Sequence, residues 1–222
     1  MLAWEGELKR MDQVSHPFLM RIYTYSLGEM QANCYLIEHE GKGMLIDPAD
    51  DGSFLLEEIQ RKNIKLVGLF ITHGHFDHCM AVGEIQMSFD VPVYLHKKDQ
   101  FLIDRLESTA RHFLGYTPVM VPPKKIQYIK SNELKIINLK LKIISSPGHT
   151  PGGVCYYFPD EQALFTGDTL FAGAIGRTDL SYSNKKDLWN SLRAILTLPE
   201  ETTIYPGHGE STYIGEQKYL LG

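Results

Sequence analysis

The chain has 222 residues, 43% hydrophobic and 22% charged, and Lys+Arg 22 against Asp+Glu 27 leaves a net charge of −5. An acidic balance argues against tracking nucleic-acid phosphates, which calls for a basic face. No apolar run approaches the roughly 18 residues of a membrane span, and the charged start from Met1 to Gln13 has no apolar core for a signal peptide. Cys34, Cys79 and Cys155 are scattered and form no C-x-x-C pair, so a reducing, cytoplasmic setting is expected. One domain over residues 1–222 and a small-molecule partner, with neither nucleic acid nor membrane, are the resulting expectations. The sequence carries no signal for an oligomeric state.

In chain order, Met20 to Leu27 reads as a strand. Cys34 to Glu38 and Met44 to Asp47, joined through Gly41 and Gly43, read as a hairpin. Leu55, Leu56 and Ile59 among charged neighbours give helical spacing over 52–63, followed by a buried-strand run, Leu66 to Ile71. A His-rich loop at 73–78 leads to a helix over 80–89, an extended stretch over 91–95 and a helix over 97–114. The Pro-rich stretch 115–125 reads as a surface loop. Strands are expected near 126–130, 134–138, 140–145, 153–158 and 162–166. Leu188, Leu192, Ile195 and Leu196 mark an amphipathic helix ended by Pro199, then a strand at Thr203 to Tyr205 and a last helix from about Ile214. This alternation predicts an α/β fold of two packed sheets with outer helices. A doubly wound sheet fits less well, because no G-x-G-x-x-G follows the first strand.

The chemistry gathers at strand ends. Directly after Leu69-Phe-Ile71 comes Thr72-His73-Gly74-His75-Phe76-Asp77-His78. In extended backbone, residues two apart face the same way, so His73 and His75 can converge while Asp77 and His78 are carried to a neighbouring point. Gly74 permits the bend. Pro147-Gly-His149, Thr166-Gly-Asp168 and Pro206-Gly-His208 each set a ligand-type side chain on a turn after an apolar run. Imidazole and carboxylate suit Zn, Fe or Mn. Any one such histidine is ordinarily a hydrogen-bonding loop residue, but four coordinated motifs are hard to explain as decoration. His16, His39, His96 and His112 have no partner motif and are left out. Cys79 reads as a small buried filler rather than a thiolate ligand.

With these motifs in this order, the sequence from about Met20 onward resembles the metallo-β-lactamase superfamily, whose fold is a four-layer αβ/βα sandwich of two mixed sheets with outer helices. Within it, Gly167-Asp168-Thr-Leu-Phe171, Gly176-Arg177-Thr-Asp179 and Pro206-Gly-His208-Gly are similar to the glyoxalase II-like hydroxyacylglutathione hydrolases. The resemblance implies two divalent metal ions, zinc first and Fe or Mn as alternatives. It places His73, His75 and His149 on one ion and Asp77, His78 and His208 on the other, with Asp168 bridging and Asp47 supporting the His loop. The chain ends at Gly222 without the C-terminal helical extension that grips glutathione in typical members, so the hydrolytic centre carries over and the gripping residues do not.

The implied chemistry is hydrolysis of a thioester such as S-2-hydroxyacylglutathione by a metal-bridging hydroxide, with Asp77 orienting the nucleophile. No motif supplies a dedicated general acid, which suits a thiolate leaving group better than an amine. Arg177 is a candidate for a substrate carboxylate, a salt bridge with Asp179 being the plainer reading. An iron persulfide dioxygenase using only His73, His149 and Asp168 would leave His78 and His208 unexplained. A lactonase or β-lactamase of the same fold is a further alternative. A purely structural metal module is disfavoured, because such sites are normally closed, and a nuclease is disfavoured by the net charge.

Overall fold

The computed structural model describes residues 20–221, so the chain's charged start and His16 lie outside it. Strands β1 (Arg21–Leu27), β2 (Ala32–His39) and β3 (Lys42–Ile46) form an antiparallel meander. Between β2 and β3, Glu40 and Gly41 take positive φ of 53° and 73°, as a two-residue hairpin matched to strand twist requires. Helix α1 (Gly52–Arg61) crosses over to β4 (Lys65–Phe70), and α2 (Val82–Ser88) crosses to β5 (Val93–Leu95). Helices α3 (Gln100–Ile103) and α4 (Leu106–Leu114) precede β6 (Ile126–Tyr128). Strands β3 to β6 run parallel, giving a mixed six-stranded sheet in sequential order.

The second sheet opens with the antiparallel strands β7 (Glu133–Ile136), β8 (Leu139–Ser145), β9 (Val154–Phe158) and β10 (Ala163–Gly167). After a two-residue hairpin of β11 (Leu170–Phe171) and β12 (Ala174–Ile175), helix α5 (Lys185–Ile195) returns the chain to β13 (Thr203–Pro206), which lies parallel to β10. Strand β14 (Thr212–Tyr213) closes the edge before α6 (Ile214–Gln217). Both sheets are mixed.

Alternation along the strands sorts side chains into three apolar layers. On β2, Tyr35 and Ile37 face the other sheet, joined there by Phe70, Leu141, Tyr156 and Phe165. Cys34 and Leu36 face outward, onto Leu55 and Ile59 of α1 and Val82 and Ile85 of α2. On β9, Cys155 and Tyr157 face outward under Leu188, Leu192 and Ile195 of α5. The layers are therefore helix, sheet, sheet, helix, the architecture expected from the sequence.

The helix expected over 97–114 is divided at Asp104–Arg105. Its first part turns Asp99 inward, fully buried, while its second part lays Leu106 and Ala110 under the first sheet. The stretch 115–125 carries no regular structure, and all three cysteines are buried and unpaired. Among the described residues, no helix is long and apolar enough to cross a membrane.

Candidate metal centre

The ligand-type side chains all sit on segments that leave the C-terminal ends of strands. Asp47 follows β3, the 73–78 loop follows β4, His149 follows β8, Asp168 follows β10 and His208 follows β13. Since both sheets deliver these ends to one rim of the sandwich, residues up to 161 positions apart in sequence meet there.

They form two sets that share one carboxylate. In the first, His75 Nδ1 lies 3.0 Å from both His73 Nε2 and His149 Nε2, and Asp168 Oδ2 is 3.5 Å from His149 Nε2 and 4.0 Å from His73 Nε2. In the second, Asp77 Oδ2 is 3.7 Å from His78 Nε2 and 3.4 Å from His208 Nε2. Asp168 Oδ1 is 3.4 Å and 3.8 Å from the same two nitrogens. Four donors at about 2.05 Å from one tetrahedral ion stand about 3.3 Å apart, so both sets have the right span.

Proton placement supports the same fit. His149 Nδ1 donates to the Arg177 carbonyl at 3.0 Å. His78 Nδ1 donates to Asp47 Oδ2 at 3.0 Å. Thr72 Oγ1 donates to Asp47 Oδ2 at 2.6 Å and so accepts from His73 Nδ1 at 3.0 Å. These partners assign the proton to the outer nitrogen and turn a lone pair inward on each ring. Lone pairs 3.0 Å apart in a buried place repel unless a cation lies between them. Two further atoms point to the same need: His78 Nε2 and Asp168 Oδ1 are buried without a hydrogen-bond partner. His78 Nε2 is within ion-pair reach of Asp168 but not aligned for a hydrogen bond. The residues present thus fit a pair of divalent ions.

Electrostatics agree. Burial, then His149, pushes the His75 imidazole down to about 3, and burial followed by His78 and His75 lowers His73. Burial opposes charge on Asp168, but His78, His73 and His149 outweigh it and hold the carboxyl well below its usual range. Against the same desolvation, Asp77 and Asp168 raise His78. Without a metal, then, the carboxylates draw positive charge into the centre as protons on the imidazoles nearest them. A divalent ion would supply that charge and leave the rings neutral.

Asp47 holds Thr72 and His78 from a backbone with φ 48°. Cys79 is buried with its Sγ 3.8 Å from the His73 carbonyl and belongs to no ligand cluster. His39, His96 and His112 also stand outside the clusters. Arg177 lines the cleft in front of the centre, yet its guanidinium is engaged bidentately by Asp179 at 2.7 Å through each nitrogen.

The sequence motifs did not reveal Asp99. It is fully buried, and its Oδ2 accepts from the Gly74 N–H at 3.0 Å and Thr150 Oγ1 at 2.7 Å, its Oδ1 from the Gly152 N–H at 2.6 Å. One carboxylate therefore ties the loop between His73 and His75 to the turn after His149. A Cβ on Gly74 or Gly152 would come within 2.9 Å or 2.6 Å of Asp99 atoms, so the glycines in both motifs answer to it. The only sequence signal was an acidic residue where an amphipathic helix should turn its apolar side inward.

The centre opens into a cleft of about 140 Å³ bordered by Met30, Phe76, Phe113, Leu180 and Tyr182. The chain is 33% identical over 203 residues to the hydroxyacylglutathione hydrolase GloC of Haemophilus influenzae, covering 90% of this chain and 95% of that one. The crystal structure of BLEG-1, a B3 metallo-beta-lactamase, matches with a TM-score of 0.84 and 32% identity over 91% of this chain and all of that one. TTHA1623 in a di-iron-bound form matches with a TM-score of 0.81 and 35% identity, covering 88% and 96% of the two chains. The model of the metallo-beta-lactamase superfamily itself matches residues 27–208, the span from the end of β1 to the last histidine of the centre. By its sandwich, its motif order and that match, the chain belongs to the metallo-beta-lactamase superfamily.

Proposed function

We propose that this chain is a metal-dependent hydrolase that carries two divalent ions, zinc foremost with iron or manganese as alternatives, and acts on thioesters such as S-2-hydroxyacylglutathione. The observation that carries it is Asp168, whose two oxygens face two separate sets of donors at the mouth of an open cleft. A site built only for stability has no reason to share a carboxylate between two sets of donors at the mouth of an open cleft.

In this assignment His73, His75, His149 and Asp168 would hold one ion, and Asp77, His78, His208 and Asp168 would hold the other. When bound, such a pair supplies a water acidic enough to ionise near neutral pH and positive charge against the developing oxyanion. Asp77, which lines the cleft, would orient the attacking water. Asp47 keeps His78 turned inward, and the Arg177 carbonyl does the same for His149. Met30, Phe76 and Phe113 offer the acyl group an apolar wall. GloC's name supports a glutathione thioester as substrate, and the di-iron form of TTHA1623 supports iron as an alternative metal. The likeness to BLEG-1 favours β-lactam hydrolysis as a second reading.

The test is elemental analysis of the purified protein beside turnover of S-D-lactoylglutathione, glutathione persulfide with oxygen uptake, a simple lactone and a β-lactam. Two ions per chain and preference for the thioester are expected. His75→Ala and Asp168→Ala should lose turnover together with bound metal while keeping the circular dichroism of the fold. Full turnover in either variant at normal metal content would refute the assignment.

A further inference from the structure

We propose that Tyr182 is a catalytic residue that donates a hydrogen bond to the sulfur leaving the substrate. The assignment rests on the hydrolase reading above and adds the donor that none of the sequence motifs supplies. His75 turns Nδ1 toward the other donors of its set, so as a neutral ligand it carries its proton on Nε2. That Nε2–H donates to the Tyr182 hydroxyl at 2.9 Å. The oxygen of Tyr182 is then an acceptor from the protein, and its own proton must point elsewhere. Among the described residues it has no other hydrogen-bond partner, and Tyr182 borders the cleft. The O–H is left directed at whatever occupies that space.

Its position is fixed from three sides. The ring packs edge-on against Phe101, with centroids 5.4 Å apart at 73°. The next residue, Ser183, donates from Oγ to the His149 carbonyl at 2.7 Å, and the Asn184 N–H donates to the Gly148 carbonyl at 2.7 Å. Tyr182 is thus clamped to the same turn that presents His149. It stands one imidazole and one hydrogen bond outward from the centre, on the wall of the cleft through which a substrate has to enter. Of the two substituents of the attacked carbonyl, only the leaving atom gains negative charge during reaction, so only there does a fixed donor lower the barrier.

In the step itself, water's oxygen forms the new C–O bond and the C–S bond breaks with its electron pair remaining on sulfur. Of the two protons of water, one ends on sulfur and one in bulk solvent. Tyr182 keeps its own.

Tyr182→Phe tests this with a series of thioesters sharing one acyl group and differing in thiol. A hydrogen bond to a charged acceptor predicts a loss of roughly 10- to 100-fold in kcat/KM for alkyl thiols. The loss should appear in kcat with KM little changed, and should shrink for the more acidic thiophenol, whose thiolate needs less help. Metal content stays at the wild-type value, and the alkyl thiol product, measured by calorimetry, binds the variant several-fold more weakly. An equal loss across all thiols, or unchanged thiol binding, overturns the assignment and leaves the hydrolase reading standing. Metal-replete wild-type protein that cleaves no thioester sinks that reading and Tyr182's role with it.

Discussion

Asp47 and Asp99 are both buried, and among the described residues neither has a lysine or arginine against it; N–H and O–H donors satisfy each carboxylate. Each acts on the centre through other residues, Asp47 through Thr72 and His78, Asp99 through the backbone beside His75 and His149. Burial pushes the Asp99 carboxyl up, and its three donors pull it only part of the way back. Asn in that place has the same shape but brings an N–H₂ toward a ring of donors, leaving at least one buried N–H without an acceptor. Such an orphan costs about 1–3 kcal/mol, and lost support of this kind typically weakens metal binding 10–100-fold. Asp99→Asn should therefore melt lower and, at limiting metal, lose the ion held by His73, His75 and His149 before the other. Calorimetry and metal titration check it; a variant that melts and binds like wild type would show Asp99 to be a bystander.

Helix α5 is positioned by its contact with the His149 turn. Asn184 caps it, accepting from the Asp187 N–H at 3.0 Å, and its second turn presses on Gly148, where an added Cβ would come within 2.3 Å of the Leu188 backbone. Gly148 also has φ +140°, closed to most L side chains. Gly148→Ala should cost about 1–3 kcal/mol by overpacking and displace His149 as the helix is pushed off, so thermal melts and metal content should fall together; loss of stability with full metal content would separate helix packing from the site. This element was legible in the sequence because Leu188, Leu192 and Ile195 keep one face apolar over three turns. The inner strands were legible as short apolar runs bounded by turns, because both of their faces are buried, and β1 was legible by alternation. The hairpin of β11 and β12 and the edge strand β14 were not, since two residues define no period. The break at Asp104–Arg105 was hidden because Leu102 and Leu106 keep helical spacing across it. Likewise the ligands announced themselves through turn chemistry at strand ends, whereas Asp99 and Tyr182 matter only through partners distant in sequence.

At the scale of the molecule, the centre straddles the two sheets, which are also bonded to each other at that rim. The Val154 N–H donates to the Thr72 carbonyl at 2.9 Å, and the Asn33 side chain donates to the carbonyls of Pro206 and Gly209 at 3.0 and 2.9 Å. The first set takes two donors from the loop after β4 and two from the second sheet; the second set is divided in the same way between Asp77 and His78 on one side and Asp168 and His208 on the other. An ion in either set therefore binds only when both halves are in place, so its binding free energy becomes stability of the whole sandwich. At a hundredfold excess over its dissociation constant, one ion adds about 2.7 kcal/mol. For a chain of this size each kcal/mol moves the melting temperature by roughly 2–4 °C, so stripping both ions with a chelator should lower it by roughly 10–20 °C. The transition should stay single and cooperative, because no ion belongs to one half alone. His208→Ala removes a donor from the second set only, so chelation should then cost about half that shift. Equal melting with and without chelator in metal-replete wild-type protein, or a chelated protein in which one sheet melts well before the other, would contradict a centre shared between the halves.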